Sequence, residues 1–245
     1  MTQEELTMTV PTGQGNIEIY IPGSRDVIVK MSGGADSSIL MLLLAKYRQE
    51  INPELKFKIV TTISTAKPYQ YIFAKQVLEF INDIYPLGEY EHHTNDCVPL
   101  DGVPDGPDEN GIDLNSDQWA LDIQNLAQKL HKPDSVQYMG ITANPSIEEM
   151  KLHKFDDGRD FERDTEVAVP TGEVLLEPNV FKFNRPFAQY DKKAVSDLFD
   201  TYNVTDTLFP LTRSCESFKF DETFSTHCGR CWWCRERNWA FGKLA

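Results

Sequence analysis

The sequence predicts an α/β protein built on a doubly wound, mainly parallel sheet. Short apolar runs alternate along the chain with longer segments in which apolar residues recur at helical spacing. The apolar runs at 27–31 and 57–63 flank one such helical segment, which makes this part of the chain a βαβ unit. Strands and helices that alternate in this way are typical of parallel sheets with helices on both faces.

Local sequence patterns predict the elements in order. Residues 16–21 alternate polar and apolar side chains, as a half-exposed strand does. The segment after Pro68 has apolar residues at helical spacing, and Asp191 is a natural N-cap for a later helix. We therefore predict strands at 16–21, 27–31, 57–63, 88–94 and 136–142, and helices at 37–49, 68–82, 116–131 and 191–202.

The predicted elements divide the 245-residue chain into three parts. Residues 1–25 form an N-terminal edge segment, of which 1–15 are expected to be mobile or at an edge. Residues 26–210 form the main domain, with an insertion at about 146–180 that is either a substrate cap or a solvated excursion. Residues 211–245 form a C-terminal segment that contains four of the five cysteines.

The composition favours a small-molecule substrate over a nucleic acid. The chain carries 38 acidic and 24 basic residues, a formal net charge of −14, so its surface repels phosphate backbones at long range unless a basic patch exists locally. No apolar run approaches the ~20 residues of a membrane span, and the acidic N-terminus lacks a signal-peptide pattern. We expect a cytoplasmic protein with no membrane partner, in which the acidic stretch 101–111 is a solvated loop.

The strongest candidate binding motif is the glycine loop, residues 32–38, Ser-Gly-Gly-Ala-Asp-Ser-Ser, which lies between a buried strand and a helix. Adjacent glycines let backbone N–H groups converge without obstruction by a Cβ atom. The helix N-terminus adds unpaired donors and the positive end of its dipole, which suits phosphate. Asp36 fits this loop if it holds Mg²⁺ or orients a backbone donor. The predicted nucleotide-binding residues are Ser32, Gly33, Gly34, Asp36, Ser37 and Ser38.

The glycine loop differs from the two commonest nucleotide-binding motifs. It lacks the lysine of the common P-loop and the third glycine of the dinucleotide fingerprint. The alternative interpretation is a polar turn between strand and helix that binds no ligand.

A second candidate site is the cysteine cluster, Cys215, Cys228, Cys231 and Cys234. Thiolates spaced Cys-x2-Cys point inward around one cation, and four of them complete a tetrahedral zinc site. An iron–sulfur cluster uses similar spacing, and a chance group of reduced core cysteines is the third interpretation. The odd number of cysteines and their grouping argue against a secreted disulfide framework. Trp232 and Trp233 are expected to cover the metal or the core rather than a ligand.

Both motifs resemble those of a known family. The string Ser-Gly-Gly-x-Asp-Ser-Ser after an apolar strand resembles the signature of the PP-loop ATP pyrophosphatase superfamily. Thr-Arg-Ser at 212–214 precedes the first cysteine of the cluster, and Arg237 follows the last one. Taken together, the glycine loop and these C-terminal residues resemble the 7-cyano-7-deazaguanine synthase (QueC) family, with this chain as a divergent member. Asn-Arg-Pro-Phe at 184–187, followed by Lys192 and Lys193, is similar to the family's proline step before its lysine-bearing helix.

The resemblance implies an adenine nucleotide alpha hydrolase-like fold and an ATP-dependent carbon–nitrogen ligase. The family's reaction converts 7-carboxy-7-deazaguanine and ammonia to the nitrile 7-cyano-7-deazaguanine (preQ0) through adenylated intermediates. It releases AMP and pyrophosphate and serves queuosine biosynthesis and other 7-deazaguanine modification of nucleic acids. The resemblance also implies ATP and Mg²⁺ at the glycine loop, with Asp36 and Ser37 as catalytic residues, and structural Zn²⁺ at the cysteine cluster.

Two other functions are left open, because no good copy of the family's substrate-binding segments follows Ser64 or Asn144. A PP-loop tRNA-thiolating enzyme needs a reactive cysteine or a cluster, and Cys97 is the one cysteine outside the terminal group. A nucleotide-binding module with a different or lost substrate would keep the loop without turnover. The sequence leaves open the exact substrate and the oligomeric state, a homodimer included.

Overall fold

The computed structural model describes residues 6–21, 26–64, 69–97, 102, 126–127, 129–130, 135–153, 184–215 and 224–244. The predicted acidic loop at 101–111, most of the predicted helix at 116–131 and the insertion beyond residue 153 lie outside these ranges. Among the described residues, no helix combines the length and the apolar character needed to cross a bilayer.

Six strands and five α-helices are described. They follow the predicted order, with a short extra helix within the predicted insertion. The strands are β1 (Leu6–Thr12), β2 (Gly15–Ile21), β3 (Asp26–Lys30), β4 (Lys56–Ser64), β5 (Tyr90–Cys97) and β6 (Val136–Met139). The helices are α1 (Ala35–Glu50), α2 (Tyr69–Ile84), α3 (Ile147–Leu152), α4 (Lys192–Thr201) and α5 (Trp232–Phe241), with a 3₁₀ helix at Phe209–Leu211.

The central sheet confirms the predicted fold class. It consists of four parallel strands in the order β5-β4-β3-β6. The chain moves from β3 to β4 and β5 on one side, then returns to β6 on the other side of β3. The strand order therefore reverses between β3 and β6, which is the topological switch point of an open parallel sheet.

Side chains of the central strands alternate between two apolar layers. Val27 and Val29 are fully buried in the main core together with α1, α2 and α4. Ile28 and Val60 face the other layer and pack against Ala127, one of the described helical residues between 126 and 130. Because each strand has a period of two, these paired layers show that helices cover both faces.

Helix α1 is enclosed by its neighbours, as its apolar sequence predicts. Every residue from Ile39 to Ala45 is fully buried, so no face of this part of the helix meets solvent. The helix contacts α2 on one side and α4 on the other. A helix that is apolar on all sides is stable in water only when it is covered in this way.

Residues 6–21 form a hairpin. β1 and β2 pair antiparallel, with Thr12 opposite Gly15. Ile17, Ile19 and Ile21 on β2 are fully buried and belong to the main core. The prediction that 1–15 are mobile or at an edge missed β1, because the strand is stabilised by pairing and packing that a local pattern does not show.

We expect the hairpin to unfold together with the main core. Replacing the buried side chain in Ile19→Ala should lower the free energy of unfolding by about 2–5 kcal/mol, because it leaves a cavity in the shared core. Denaturant unfolding followed by circular dichroism and by tryptophan fluorescence should give one coincident transition. Thr9→Ala, on the exposed side of β1, is the matched control and should change stability by less than about 0.5 kcal/mol. A separate hairpin transition that leaves the main transition unchanged would contradict this expectation.

Candidate functional site

The glycine loop lies at the switch point of the sheet. It follows the carboxyl end of β3, and Gly140 follows the carboxyl end of the neighbouring strand β6. Ligands of open parallel sheets bind in the crevice that opens at such a point. The position that the sequence predicted for a nucleotide is therefore the position that this fold offers.

Two glycines allow the loop to pack closely against its neighbours. Gly33 has a φ of +72°, and a Cβ atom there would lie 2.6 Å from the Cβ of Phe73 on α2. A Cβ atom on Gly140 would lie 2.6 Å from the backbone carbon of Asp36 and from the backbone nitrogen of Ser37. Gly33 was predicted from its motif, whereas nothing in the sequence singled out Gly140.

The start of α1 leaves backbone donors available to an anion. Its N-cap is Gly34, and no side chain caps the first turn. The hydroxyl groups of Ser32 and Ser37 lie 3.3 Å apart at this turn. The Ser38 side chain is fully buried and donates to the Gly34 carbonyl at 2.7 Å. The Ser37 hydroxyl donates to the same carbonyl at 3.2 Å, but Ser32 and Ser37 also line the open side of the loop.

A charged triad adjoins the loop. It consists of Asp36 on α1, Lys192 at the start of α4 and Glu236 on α5. The Lys192 Nζ lies 2.5 Å from Asp36 Oδ2 and 3.7 Å from Glu236 Oε2. All three side chains are largely buried, with exposed fractions of 7% for Lys192, 17% for Asp36 and 1% for Glu236. Asp191 caps α4 through the Lys193 N–H, as predicted, and this cap fixes where Lys192 begins the helix.

The loop, with Asp36 and Lys192 of the triad, opens into one cleft of about 530 Å³, a volume that includes its open mouth. Besides loop residues, Lys192 and Gly140, the cleft is lined by Tyr69, Gln70, Arg213, Ser214 and Trp233. The expectation that both tryptophans cover the metal or the core fits Trp232, which is buried, but Trp233 lines the cleft.

Arg213 joins the cleft to the segment that carries the cysteines. Its backbone N–H donates to the carbonyl of Gly33 at 2.8 Å. Its guanidinium donates to the carbonyls of Cys215 at 3.2 Å, Phe224 at 2.5 Å and Thr226 at 2.8 Å. The main chain of Arg213 thus contacts the glycine loop while its buried side chain holds both ends of the stretch between the first two cysteines.

The four cysteines of the cluster converge, as their spacing predicts. Their sulfur atoms all lie within 4.8 Å of one another, and those of Cys228 and Cys234 are 3.9 Å apart. Four thiolates around one ion at about 2.3 Å lie roughly 3.8 Å apart in tetrahedral geometry. The donor set therefore fits one tetrahedral metal ion.

Without a metal, two thiols of the cluster, those of Cys231 and Cys234, have raised pKa values. Hydrogen bonding to Cys215 raises the pKa of Cys231 to about 12, and burial adds to this. Hydrogen bonds to Cys215 and Cys231 also raise the pKa of Cys234. Crowded thiols of this kind gain from a cation, because one ion replaces the protons and removes the repulsion among thiolates.

A second arginine, Arg237, joins α5 to the same segment. Its guanidinium donates to the Thr212 hydroxyl at 2.8 Å and to the carbonyls of Phe209 at 2.9 Å and Thr212 at 3.1 Å. It also donates to Ser214 and to the carbonyl of Leu244. Burial lowers the pKa of Arg237 to about 9, so the group is still cationic at neutral pH.

Trp233, which lines the cleft, has Glu236 and Arg237 as buried neighbours on α5. These positions, spaced i, i+3 and i+4, share one face of a helix. A different face carries Trp239, whose ring N–H donates to Glu149 of α3 at 3.0 Å. The start of the predicted insertion therefore packs against the terminal helix, and Lys193 lies 4.5 Å above the Trp239 ring.

Comparisons with known proteins give little beyond this architecture. No family model matches the chain, and no curated protein matches it. Among solved structures, the chain is similar to the U34-tRNA thiolase NcsA from Methanococcus maripaludis with its [4Fe-4S] cluster. The two share 14% sequence identity over 89% of this chain and 71% of that chain, with a TM-score of 0.47. The fold and site thus describe a doubly wound α/β protein with a glycine loop at its switch point and a cysteine cluster suited to metal.

We expect Gly140→Ala to destabilise the protein through the loop. The new Cβ would meet backbone atoms of Asp36 and Ser37, which cannot move without shifting the start of α1. The free energy of unfolding should fall by about 1–3 kcal/mol, as for other overpacked sites. Gly34→Ala is the matched control, because its φ is −82° and its Cβ would have contacts of 3.4 Å or longer. Equal denaturation midpoints for the two variants would contradict this expectation.

Proposed function

We propose that this protein is an ATP-dependent carbon–nitrogen ligase that activates a carboxylate by adenylation, in the manner of the PP-loop ATP pyrophosphatases. Its proposed substrates are 7-carboxy-7-deazaguanine, ammonia and ATP, and its products are the 7-cyano compound, AMP and pyrophosphate. The observation that carries the ATP part is the glycine loop at the switch point with Lys192 beside it. The identity of the acceptor rests on the sequence resemblance.

The loop supplies what a triphosphate needs although it lacks a P-loop lysine. The uncapped first turn of α1 offers N–H donors and the positive end of the helix dipole. Ser32 and Ser37 add hydroxyl donors at the same turn. Lys192 brings a cation to the loop from a helix 156 positions later in the chain. We infer that Lys192 contacts the phosphates and replaces the lysine that a P-loop carries within its own sequence.

In the proposed reaction an oxygen of the substrate carboxylate attacks the α-phosphorus of ATP. The bond between the α- and β-phosphates breaks, and pyrophosphate leaves. The loop donors and Lys192 stabilise the charge that develops on the leaving group, so they act on the transition state. Ammonia then attacks the carbonyl carbon of the acyl adenylate and displaces AMP, which gives an amide.

A second ATP completes the proposed sequence at the same loop. The amide oxygen attacks the α-phosphorus, pyrophosphate leaves again, and loss of AMP with the remaining N–H protons gives the nitrile. Mg²⁺ supplies positive charge to the triphosphate in both activations. Asp36 is the residue suited to hold it, because its Oδ1 is buried and lacks a hydrogen-bond partner among the described residues.

We expect Lys192→Met to impair ATP use and Lys193→Met to leave it nearly unchanged. The first variant removes the cation beside the loop, whereas the Lys193 ammonium lies over Trp239 and beside Glu149. Loss of such a charge contact should slow pyrophosphate release by about 10²–10³-fold. Pyrophosphate and AMP should be measured with ATP, Mg²⁺, ammonium and 7-carboxy-7-deazaguanine, and the nitrile should be identified by mass.

The outcomes of this assay separate the parts of the proposal. AMP and pyrophosphate without nitrile would keep the adenylation chemistry and overturn the substrate. A wild-type protein that binds ATP in a calorimeter but releases no pyrophosphate with any carboxylate would favour a binding module. Failure to bind ATP would overturn the proposed function altogether.

We further propose that the cysteine cluster holds Zn²⁺ in a structural role. Sulfur atoms within 4.8 Å of one another suit one shared ion. In a [4Fe–4S] cluster each thiolate binds its own iron, so the cysteine sulfurs stand farther apart than around a single ion. With all four positions occupied by thiolates, no coordination site is open for a reactant, as is usual for structural zinc.

Metal analysis of the purified protein tests the zinc assignment. We expect about one zinc ion per chain and no visible absorbance from iron. Cys234→Ser should lose the metal and lower the melting temperature, because α5 begins between two ligands, Cys231 and Cys234. Cys97→Ser, at the one cysteine outside the cluster, should retain zinc. Stoichiometric iron with a brown colour after anaerobic purification would contradict the assignment and favour the tRNA-thiolating alternative.

A further inference from the structure

The charged triad places two carboxylates around one ammonium at the edge of the cleft. The Lys192 Nζ is within hydrogen-bond distance of Asp36 Oδ2, at 2.5 Å. Glu236 Oε2 is 3.7 Å from the same nitrogen, which is an ion pair but longer than a hydrogen bond. Lys192 is therefore paired mainly with Asp36 and has a second carboxylate about one ångström beyond contact.

Burial makes the second carboxylate significant. Glu236 is 1% exposed and shares a face of α5 with Trp233, which lines the cleft. A carboxylate removed from water is costly unless cations compensate it, and Lys192 is the cation paired with it across the triad. The proposed reaction has no direct use for Glu236, since it is not among the residues that line the cleft.

Under the proposed function, Asp36 has two competing partners. When Mg²⁺ arrives with ATP and binds Asp36 Oδ1, the Lys192 ammonium on Oδ2 would stand on the same carboxylate, and the two cations would repel each other. If Lys192 moved out to solvent, the phosphates would lose the cation beside the loop. Glu236 offers the ammonium a nearby alternative partner on the protein side.

We propose that Glu236 is a positioning residue that takes over the Lys192 ammonium when Asp36 binds Mg²⁺. The short movement from Asp36 toward Glu236 frees a carboxylate for the metal and keeps the ammonium beside the phosphates. Glu236 acts through Lys192 and touches neither ATP nor the acceptor. This inference rests on the proposed function, because it presupposes that the loop binds ATP with Mg²⁺.

The test measures the Mg²⁺ dependence of nucleotide binding rather than turnover. Full-length protein is mixed with an ATP analogue whose bridge between the α- and β-phosphates cannot be cleaved, and Mg²⁺ is titrated while binding is followed by calorimetry. In Glu236→Gln, Asp36 is the one carboxylate of the triad that remains to pair with Lys192. Mg²⁺ must then bind Asp36 while the ammonium has no second carboxylate to move to. We expect the Mg²⁺ midpoint to rise about tenfold, a usual size for coupling between neighbouring sites.

Two matched variants separate positioning from general effects on α5. Glu149→Gln removes the same charge from a carboxylate that contacts α5 through Trp239, outside the cleft, and should leave the midpoint unchanged. In a Lys192→Met background, Glu236→Gln should have no further effect, because the residue through which Glu236 acts is gone. A structural role alone would not produce this dependence on Lys192.

The outcomes distinguish failure of the role proposed for Glu236 from failure of the proposed function. An unchanged midpoint in Glu236→Gln, or a shift that persists in the Lys192→Met background, would overturn the role of Glu236 and leave ATP binding intact. If Glu236→Gln does not fold, Glu236→Asp keeps the charge, and its midpoint should lie above that of the wild type; an equal midpoint would overturn the inference. Wild-type protein that binds no analogue at any Mg²⁺ concentration would overturn the proposed function itself.

Discussion

The backbone contact between Arg213 and Gly33 is the constraint on which both candidate sites depend. One hydrogen bond of 2.8 Å joins the start of the cysteine-bearing segment to the glycine loop. Its net energy is modest, about 1 kcal/mol for a typical pair. The structural effect of this hydrogen bond is larger, because two buried arginines fix the same part of the chain. Arg213 donates to the carbonyl of Phe224, and Arg237 donates to the carbonyl of Phe209. Shifting residues 212–214 would leave several buried donors and acceptors unsatisfied at once, which is where the cost would arise.

What the sequence could predict was set by how local each signal is. The strands β3 and β4 follow from apolar runs, α4 from the Asp191 cap, and the convergence of the four cysteines from their spacing, because each depends on neighbouring residues. The glycine loop was recognised for the same reason. The strand β1 was missed, since its stability comes from pairing with β2 and from a core that forms later in the chain.

The remaining parts of the site arise only from tertiary structure. Gly140 has no sequence signal, because the need for glycine arises from the peptide between Asp36 and Ser37, which leaves no space for a Cβ atom. Lys192 was visible as part of a resemblance, but its pairing with Asp36 joins residues 156 positions apart. From the sequence, Trp233 was expected to cover the metal or the core. It also lines the cleft, and the neighbouring cysteines do not show which side chains of α5 lie there.

The charges of the cleft explain how a strongly acidic chain could accept a triphosphate. A net charge of −14 repels polyanions in general, but a repulsive average is compatible with a cleft lined by two cationic residues, Lys192 and Arg213, and by the start of α1. Backbone N–H groups at α1 carry no net charge, and Lys192 reaches Asp36 in the same turn only when α4 is docked on α1. Glu236 reaches Lys192 only when α5 is docked as well. Because α5 begins between two of the clustered cysteines, the proposed metal site, the position of Glu236 and the cation beside the loop depend on one helix. The proposed nucleotide site is therefore complete only in the folded chain.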